Sequence, residues 1–464
     1  MNGKQKWIAF TLLALAQFMI IVDGTIVTVA LPSIQHAFHL TLASLQWIVT
    51  AYSLTFGGFL LLGGRTADLF GRKRVFLTGL VGFMTMSLLI GLLPTGSLIA
   101  PLRALQGLSA AFSLPAALSI VLTLFREPHA RTKALSIWSA VSAAGGTFGL
   151  LAGGLLTQYL GWRWNFFVNV PLGIAVALAA AYLLPAHDAE ERTQTLDIAG
   201  AVLITSALML LVYTITNASI WGWASVHTLG FLGVVVVLLA GFIRNEQRTA
   251  HPLLPLSFFR TGNIAAANAI MLFFAMTGFP ALIILTLYNQ SLNHYTPLQS
   301  GLAMVPLGIV IGSSAIVAPR LIRLFGFKKV LAVAPFSTVV GMALLLRLPE
   351  HVSFLSQELP ASLIWPLCIG PVIVSLVFAA TAGIPPQESG LASGMINTFQ
   401  QIGFALGLGM LTSVVRDQTS LAGYHTAFLS VLIVAMLVPI LALISIRQLK
   451  PASAGADEAA AGTM

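Results

Sequence analysis

The sequence predicts an all-α integral membrane protein that crosses the bilayer fourteen times. Of its 464 residues, 57% are hydrophobic and 8% are charged, and the mean hydropathy is +0.93. Soluble domains contain about 45–50% apolar and about 25% charged residues. Long apolar runs recur along the whole chain, and the basic residues fall almost entirely on one side of them. This composition excludes a water-soluble enzyme, a disordered protein and a nucleic-acid-binding protein.

Each membrane crossing needs about 20 mostly apolar residues, because the hydrocarbon core is about 30 Å thick and backbone groups must hydrogen-bond within the segment. Segment 1 is too long for a secretory signal and lacks a good cleavage site, so we interpret it as a retained helix. Fourteen runs satisfy the requirement and are numbered in order as segments 1 to 14: 7–31, 44–62, 75–93, 97–123, 133–157, 164–184, 197–217, 228–244, 262–288, 299–318, 328–347, 361–381, 392–415 and 424–446.

The lysine and arginine residues predict the orientation of these segments. With a cytoplasmic amino terminus, nineteen of the 23 basic residues lie in inside loops or tails, three lie outside, and Arg103 lies within segment 4. Cytoplasmic loops carry an excess of Lys and Arg. The distribution therefore predicts a multi-pass protein of the inner (cytoplasmic) membrane with both termini in the cytoplasm. Residues 447–464 are predicted to form a cytoplasmic tail.

Two loops of the chain resemble each other. GGRTADLFGRKRVFL (63–77) and APRLIRLFGFKKVLA (318–332) align on Gly71 and Gly326, which lie 255 residues apart. Duplicated six-helix bundles at 1–184 and 262–446, separated by a two-helix insert at 185–261, would explain this offset. Chance similarity between short basic loops is the alternative. Many transporters are built from such repeats, with a substrate site at the interface between them.

Several motifs, in the expected order, resemble a known family. GGRTADLFGRKR (63–74) resembles the signature loop of the major facilitator superfamily. Similarity to its fourteen-helix drug:proton antiporters is carried by VDGTIVTVALPSI (22–34), LRALQGLSAAFSLPAAL (102–118), GWRWNFFVNVPLG (161–173) and PPQESGLASGMINTFQQIG (385–403). The resemblance implies the major-facilitator fold, two six-helix halves plus two extra helices, and export driven by protons. In segment 5, Leu150 stands where the antiporter motif has a proline.

Asp23 is the only carboxylate well inside a predicted segment, and Arg103 is the only basic residue deep in one. At about 1.5 Å per residue, they lie about 12 Å and about 8 Å from the outer ends of segments 1 and 4. Intramembrane charges are costly and functional by default. We predict that Asp23 carries the coupling proton and shares a polar network with Arg103. The alternatives are an Asp23 satisfied by Thr25 and Thr28, and an Arg103 that reaches the headgroups.

The signature loop suggests a cytoplasmic gate. The resemblance assigns this role to Gly64, Asp68, Gly71, Arg72 and Lys73, with Asp68 and Arg72 latching the cytoplasmic side in the outward-facing state. Glycines permit tight turns and close helix approach, and Asp68 can accept hydrogen bonds from a facing helix. A basic loop that serves only to set topology is the alternative.

Segment 5 carries a face of small residues. Gly145, Gly149 and Gly153 are spaced four apart and Gly154 follows, a pattern that lets two helices approach closely. The functional interpretation is a seal between the two halves, and the structural interpretation is helix packing.

The second half contains no acidic residue within a predicted segment, so we expect a lipophilic monocation or a neutral amphipath as substrate. Aromatic and methionine side chains accept varied apolar shapes. Candidate cavity residues, each of which can equally face lipid or a neighbouring helix, are Phe18, Gln106, Asn263, Asn268, Phe273, Phe274 and Met276.

These observations predict a monomeric, non-enzymatic, proton-coupled exporter of small amphipathic compounds that uses no cofactor and no metal. A nucleotide-binding Gly-x-x-x-x-Gly-Lys loop is absent from the sequence, which argues against ATP coupling. Two alternatives remain open. The protein can be a proton-coupled exporter of one dedicated metabolite or antibiotic, or a sensor or scaffold built on a transporter fold.

Overall fold

The computed structural model describes residues 3–447 apart from 126, 185–195, 251, 255, 351, 383, 385–388 and 416–419. All fourteen predicted segments are helical, which confirms the all-α fold class. The predicted tail from 448 onward and most of the linker before segment 7 lie outside the described residues. The helices are α1 Gly3–Phe38, α2 Leu42–Phe70, α3 Arg72–Leu92, α4 Gly96–Leu124, α5 Pro128–Tyr159, α6 Trp164–Leu183, α7 Ile198–Trp221, α8 Val226–Arg248, α9 Ile264–Leu292, α10 Pro297–Phe325, α11 Phe327–Leu345, α12 Phe354–Thr381, α13 Ser389–Val414 and α14 Leu421–Ser445.

Thirteen of these helices are long and apolar enough to cross a membrane. The remaining one, α13, has 26 residues, but Asn397, Gln400 and Gln401 make its first half more polar. Length is sufficient for a crossing because 26 residues extend about 39 Å at 1.5 Å per residue. Polar side chains on a crossing helix are tolerated where they face protein or a cavity.

The helices form two groups that pack mainly within themselves. In the first group α1 packs on α5 and α6, and α4 packs on α2 and α3. In the second, α12 packs on α9, α10 and α11, while α14 packs on α9 and α11. We call these groups the amino-terminal bundle (α1–α6) and the carboxyl-terminal bundle (α9–α14). They meet where α1 contacts α9, α2 contacts α13, and α5 contacts α10.

The two inserted helices bridge the bundles on one side. α7 and α8 pack on each other, and α7 also lies against α2 and α13. Gln46 of α2 connects all three, because its Nε2 donates to Thr216 of α7 at 2.7 Å and its Oε1 accepts from Thr412 of α13. Asp197 caps α7 by accepting from the Gly200 N–H. Burial raises the pKa of Asp197, but hydrogen bonds from Gly200 and Asn245 outweigh this effect and hold the pKa below its ordinary value.

The two similar loops have the same local backbone. Gly71 separates α2 from α3 with φ +92°, and Gly326 separates α10 from α11 with φ +78°. Positive φ at both positions requires glycine, since a Cβ would be strained there. We call the end of the molecule that carries Gly71 and Gly326 the loop side, and the opposite end the far side.

The helices of the carboxyl-terminal bundle are interrupted more often than those of the amino-terminal bundle. α9 breaks at Met276–Thr277 and ends in a π-helical turn, Tyr288–Leu292. α12 begins with a π-helical turn, Phe354–Glu358, and contains a 3₁₀ turn, Trp365–Cys368. Prolines account for part of this, because proline removes a backbone donor and is tolerated only in the first turn of an α-helix.

One sequence prediction about this bundle is wrong. α12 begins at Phe354, seven residues before the predicted start at 361, so it includes Glu358. The glutamate is fully buried, and the carboxyl-terminal bundle therefore does hold a carboxylate within a crossing helix. Hydropathy placed the start too late because Gln357, Glu358 and Pro360 interrupt the apolar run. The proline occupies the first turn of the following α-helix, where it is tolerated.

Candidate functional site

A fully buried ion pair lies in the middle of the amino-terminal bundle. Asp23 of α1 is 0% exposed and Arg103 of α4 is 1% exposed. The Arg103 Nη1 donates to Asp23 Oδ2 at 2.5 Å. Asp23 Oδ1 accepts from Gln106 Nε2 at 3.1 Å and from Asn169 Nδ2 at 2.8 Å. The carboxylate is thus bound by one cation and two amides, all from helices other than its own.

A second layer of polar groups supports these donors. Ser87 of α3 accepts from Gln106 at 2.6 Å and from Asn169 at 3.2 Å. Arg103 Nε donates to the Ile48 carbonyl of α2 at 3.0 Å, and its guanidinium lies 4.2 Å from the centroid of the Tyr52 ring. Guanidinium and aromatic faces attract each other. Five helices therefore contribute to one network with one negative and one positive charge.

The structure brings together three of the residues that the sequence singled out, Asp23, Arg103 and Gln106. The alternative partners proposed for Asp23 and Arg103 do not bind them. Thr25 Oγ1 donates to the carbonyls of Ile21 and Val22, and Thr28 Oγ1 donates to that of Gly24, so neither hydroxyl satisfies Asp23. Arg103 points to Asp23 instead of the headgroups. Sequence reasoning missed Asn169, although it stands in the GWRWNFFVNVPLG motif.

A second fully buried carboxylate, 0% exposed like Asp23, lies at the far side of the carboxyl-terminal bundle. Glu358 Oε1 accepts from Asn289 Nδ2 of α9 at 2.8 Å. Its other oxygen, Oε2, is buried and has no hydrogen-bond partner among the described residues. In contrast to Asp23, this carboxylate has no arginine or lysine against it in the described part of the chain.

A small apolar cavity lies between α9, α10, α12 and α13. Its volume is about 150 Å³. Four aromatic rings and several leucine and isoleucine side chains form its wall, and Gln400 supplies an amide among them. The aromatic lining residues are Phe274, Phe279, Trp365 and Phe404. Such a lining suits an apolar, planar or flexible guest molecule.

Comparison with known proteins decides the family. The sequence model of the Major Facilitator Superfamily matches residues 13–408. The chain belongs to the major facilitator superfamily.

Two relatives are named as bacterial resistance proteins. The puromycin resistance protein pur8 of Streptomyces alboniger is 38% identical over 90% of this chain and 83% of its own length. The multidrug resistance protein Stp of Mycobacterium tuberculosis is 32% identical over 86% of this chain and 74% of its own length. A solved peptide transporter of the POT family shares the fold with a TM-score of 0.69 at 14% identity, covering 97% of this chain and 99% of that one. The resemblance stated from the motifs is confirmed, and this major facilitator superfamily protein is a membrane transporter and not an enzyme.

The superfamily's signature loop lies on the loop side, and two of its own charged side chains pair with each other. Arg72 donates to Asp68 Oδ1 from both Nε and Nη2, at 3.1 and 3.0 Å, and both side chains are partly exposed. Lys73 Nζ donates to the carbonyls of Ala181 and Leu184 at 2.7 Å, tying α3 to the end of α6. Gly64 packs against Pro115 of α4. In this conformation the described partner of Asp68 is Arg72, one turn away, and not a residue of a facing helix.

The glycines of α5 serve two different contacts. A Cβ on Gly149 would lie 2.0 Å from Thr25 Oγ1, and one on Gly153 would lie 2.6 Å from the Ile26 carbonyl, so this face packs on α1. Gly145 faces the same helix. A Cβ on Gly154 would instead lie 2.7 Å from the carbonyl of Pro297 at the start of α10. Adjacent glycines thus make different contacts: Gly153 packs within the amino-terminal bundle, and Gly154 contacts the carboxyl-terminal bundle.

The predicted cavity residues are scattered. Phe274 lines the cavity of the carboxyl-terminal bundle, and Gln106 belongs to the Asp23 network. Phe18 is half-buried, with its ring 5.4 Å from that of Phe148. Asn268 is buried in α9 and donates to the Ile264 carbonyl. The other three line neither site: Asn263 bonds to the backbone of Arg447, Phe273 packs in the core of its bundle, and Met276 marks the break in α9.

Proposed function

We propose that this transporter exports small amphipathic, antibiotic-like molecules, lipophilic cations or neutral compounds, across the bacterial cytoplasmic membrane in exchange for protons. It works as a monomer by alternating access between the bundles 1–184 and 262–446, with the loop side in the cytoplasm. The buried Asp23–Arg103 pair carries this proposal. A carboxylate at bilayer depth is costly and functional by default, and this one accepts hydrogen bonds from three side chains on two other helices.

Protonation of Asp23 supplies the link between proton binding and movement. A proton on Oδ2 takes the place of the hydrogen bond from Arg103 Nη1 and leaves the guanidinium without its counter-ion. Removing one partner of a buried ion pair costs about 3–5 kcal/mol. The gradient provides energy of the same order, because one pH unit is worth about 1.36 kcal/mol and one charge crossing 100 mV about 2.3 kcal/mol. Rearrangement of α1 against α4 then relieves the unpaired arginine.

Contacts between the bundles close the far side. Gln290 Nε2 donates to the Val29 carbonyl at 3.0 Å, and the Leu298 N–H donates to Gln158 Oε1 at 3.1 Å, both on the far side. The close contacts of α5 with α10 also lie in the far-side half of α5, at Thr147 and Gly154. Asp68 is meanwhile paired within its own loop. The far side is therefore closed, whereas α2 and α13 still touch toward the loop side, where Thr398 Oγ1 donates to the Gly57 carbonyl at 3.2 Å and a Cβ on Gly394 would lie 2.6 Å from the Leu61 side chain.

Transport by the purified protein tests the proposal. The protein is reconstituted into liposomes, a pH gradient is imposed, and movement of puromycin and of the lipophilic cation ethidium is followed in the direction opposite to proton flow. We expect movement that stops when the gradient is dissipated with an ionophore. Movement that is unchanged by the ionophore would show that proton coupling is absent.

A dedicated exporter of one antibiotic is the second candidate. One relative is named for resistance to puromycin and another for multidrug resistance. The same liposomes separate the two possibilities. A multidrug exporter moves puromycin, ethidium and several unrelated amphipaths, whereas a dedicated exporter moves a single chemical class.

A further inference from the structure

We propose that Glu358 is a second proton-binding site of the transport cycle, in which Asn289 holds the carboxyl group in its acid form. This inference rests on the proposed proton-coupled export, but the binding of the proton itself is tested separately below. The site lies in the carboxyl-terminal bundle, whereas the Asp23 network lies wholly in the amino-terminal bundle.

The hydrogen bonding between Glu358 and Asn289 lacks one donor. Asn289 Nδ2 donates to Glu358 Oε1 at 2.8 Å. On the same two side chains, Glu358 Oε2 and Asn289 Oδ1 are buried and have no partner among the described residues. Ser362, one helical turn after Glu358, also has a buried hydroxyl without a partner there. Unpaired buried polar atoms destabilise a folded protein.

A proton on Glu358 repairs this deficit. A carboxylic acid and a primary amide can form two opposed hydrogen bonds, one N–H to the acid carbonyl and one O–H to the amide carbonyl. The first is present. Addition of one proton to Oε2 forms an O–H bond, removes the negative charge, and supplies the donor that Asn289 Oδ1 lacks.

Among the described residues, no charged group near the site offers Glu358 an alternative partner. Tyr288 and Tyr295 are the ionisable groups that interact with Glu358, and neither carries a positive charge. Residues 336–345 of α11, which pack against this end of α12, contain no ionisable residue. In α10 the charged residues are Arg320 and Arg323, in the last two turns on the loop side. His425 of α14 bonds to the Leu348 carbonyl.

The position of Glu358 suits exchange with the far side. It lies four residues, about 6 Å along the helix, from the first residue of α12, and Leu355 in the same turn is 74% exposed. The cavity-lining residues Leu282 and Trp365 each lie seven residues, about 10 Å, deeper along α9 and α12 than Asn289 and Glu358. The carboxyl group therefore lies between the far-side end of α12 and the apolar cavity.

Both partners stand on irregular helix turns. Asn289 belongs to the π-helical turn Tyr288–Leu292 and Glu358 to the π-helical turn Phe354–Glu358. Such turns occur frequently at functional sites. Movement of α9 against α12 during alternating access would separate the amide from the acid, remove the O–H acceptor, and release the proton to water.

Infrared difference spectroscopy of the whole protein in lipid bilayers tests the bound proton directly. The wild type at neutral pH should show the C=O stretching band of a buried carboxylic acid, and Glu358→Gln should lose it. Gln is nearly isosteric with the acid and can donate to Asn289, so we expect this variant to fold. Glu350→Gln, which removes an exposed carboxylate from the nearby loop, is the matched control and should retain the band.

A second variant keeps the proposal testable if the first does not fold. Asn289→Leu retains the carboxyl group but removes its amide partner, so the acid band should shift in position. A wild-type spectrum without the band, or a band that persists unchanged in both variants, overturns the site.

In liposomes with a pH gradient, the proton-to-puromycin ratio should fall by one in Glu358→Gln and remain unchanged in Glu350→Gln. If Glu358→Gln loses the carboxylic acid band but keeps the proton-to-puromycin ratio, Glu358 binds a proton that takes no part in the transport cycle. If the wild type moves no substrate with the gradient, the proposed function fails while the spectrum still decides the site.

Discussion

Arg103 and Asn169 bind opposite oxygens of one carboxylate, with Arg103 Nη1 at 2.5 Å from Asp23 Oδ2 and Asn169 Nδ2 at 2.8 Å from Asp23 Oδ1. The two donors come from α4 and α6, and the acceptor comes from α1. Loading or unloading a proton at Asp23 therefore changes contacts among three helices at once. A local protonation event in the amino-terminal bundle can in this way alter how that bundle meets its partner.

The first prediction concerns the charge of Asp23. Asp23→Asn should abolish export driven by the pH gradient while the protein stays inserted, and it should lower the Tm because Arg103 keeps a buried charge without a counter-ion. Asp23→Asn combined with Arg103→Gln should recover much of the Tm but none of the coupled export. Thermal unfolding and liposome transport are measured on both. Full gradient-driven export by the single variant would remove Asp23 from the proton path.

The second prediction concerns Asn169. Asn169→Ala removes the 2.8 Å hydrogen bond to Asp23 and the 3.2 Å bond to Ser87, so turnover should fall severalfold and stability by about 1–3 kcal/mol. Asn165→Ala is a matched control on the same helix, because Asn165 is equally buried but donates to Thr157. The control should lose stability and keep its turnover. Equal loss of turnover in the two variants would indicate a packing effect only.

The third prediction concerns the loop-side gate. Asp68→Asn should slow the transport cycle with little change in substrate affinity, since Asp68 lies away from the cavity and pairs with Arg72 in a partly exposed site. The Tm should change little, because exposed ion pairs contribute little to stability. Glu127→Gln, an exposed carboxylate on the same side, is the control. Normal turnover by the Asp68 variant would count against a gate.

The fourth prediction separates the glycines of α5. Gly153→Ala should lower the Tm, because the new methyl group would meet the Ile26 carbonyl within the amino-terminal bundle. Gly154→Ala should mainly reduce turnover, because its methyl group would meet Pro297 across the two bundles and weaken the far-side closure. Gly146→Ala has open space around the new atom and should change neither quantity. Identical effects from the variants at 153 and 154 would refute this separation.

Most of the fold could be predicted from the chain alone, but the site could be predicted only in part. Hydropathy found every crossing helix, because a membrane helix must satisfy its own backbone and cover it with apolar side chains. It also placed Asp23 and Arg103 at similar depth. It missed Glu358, because a proline and a polar turn at the start of α12 look like a loop in a hydropathy scan.

Local composition was therefore sufficient for the number of helices, the family and the two charges inside the amino-terminal bundle. Helix packing alone decided which groups meet: Asn169 and Ser87 with Asp23, Asn289 with Glu358, and Gly154 with Pro297. Hydropathy describes how each residue interacts with lipid or water. It contains no information about the distance between residues that are far apart in the chain. Those distances depend on the rotation and tilt of each helix against its neighbours, which the folded bundle sets as a whole.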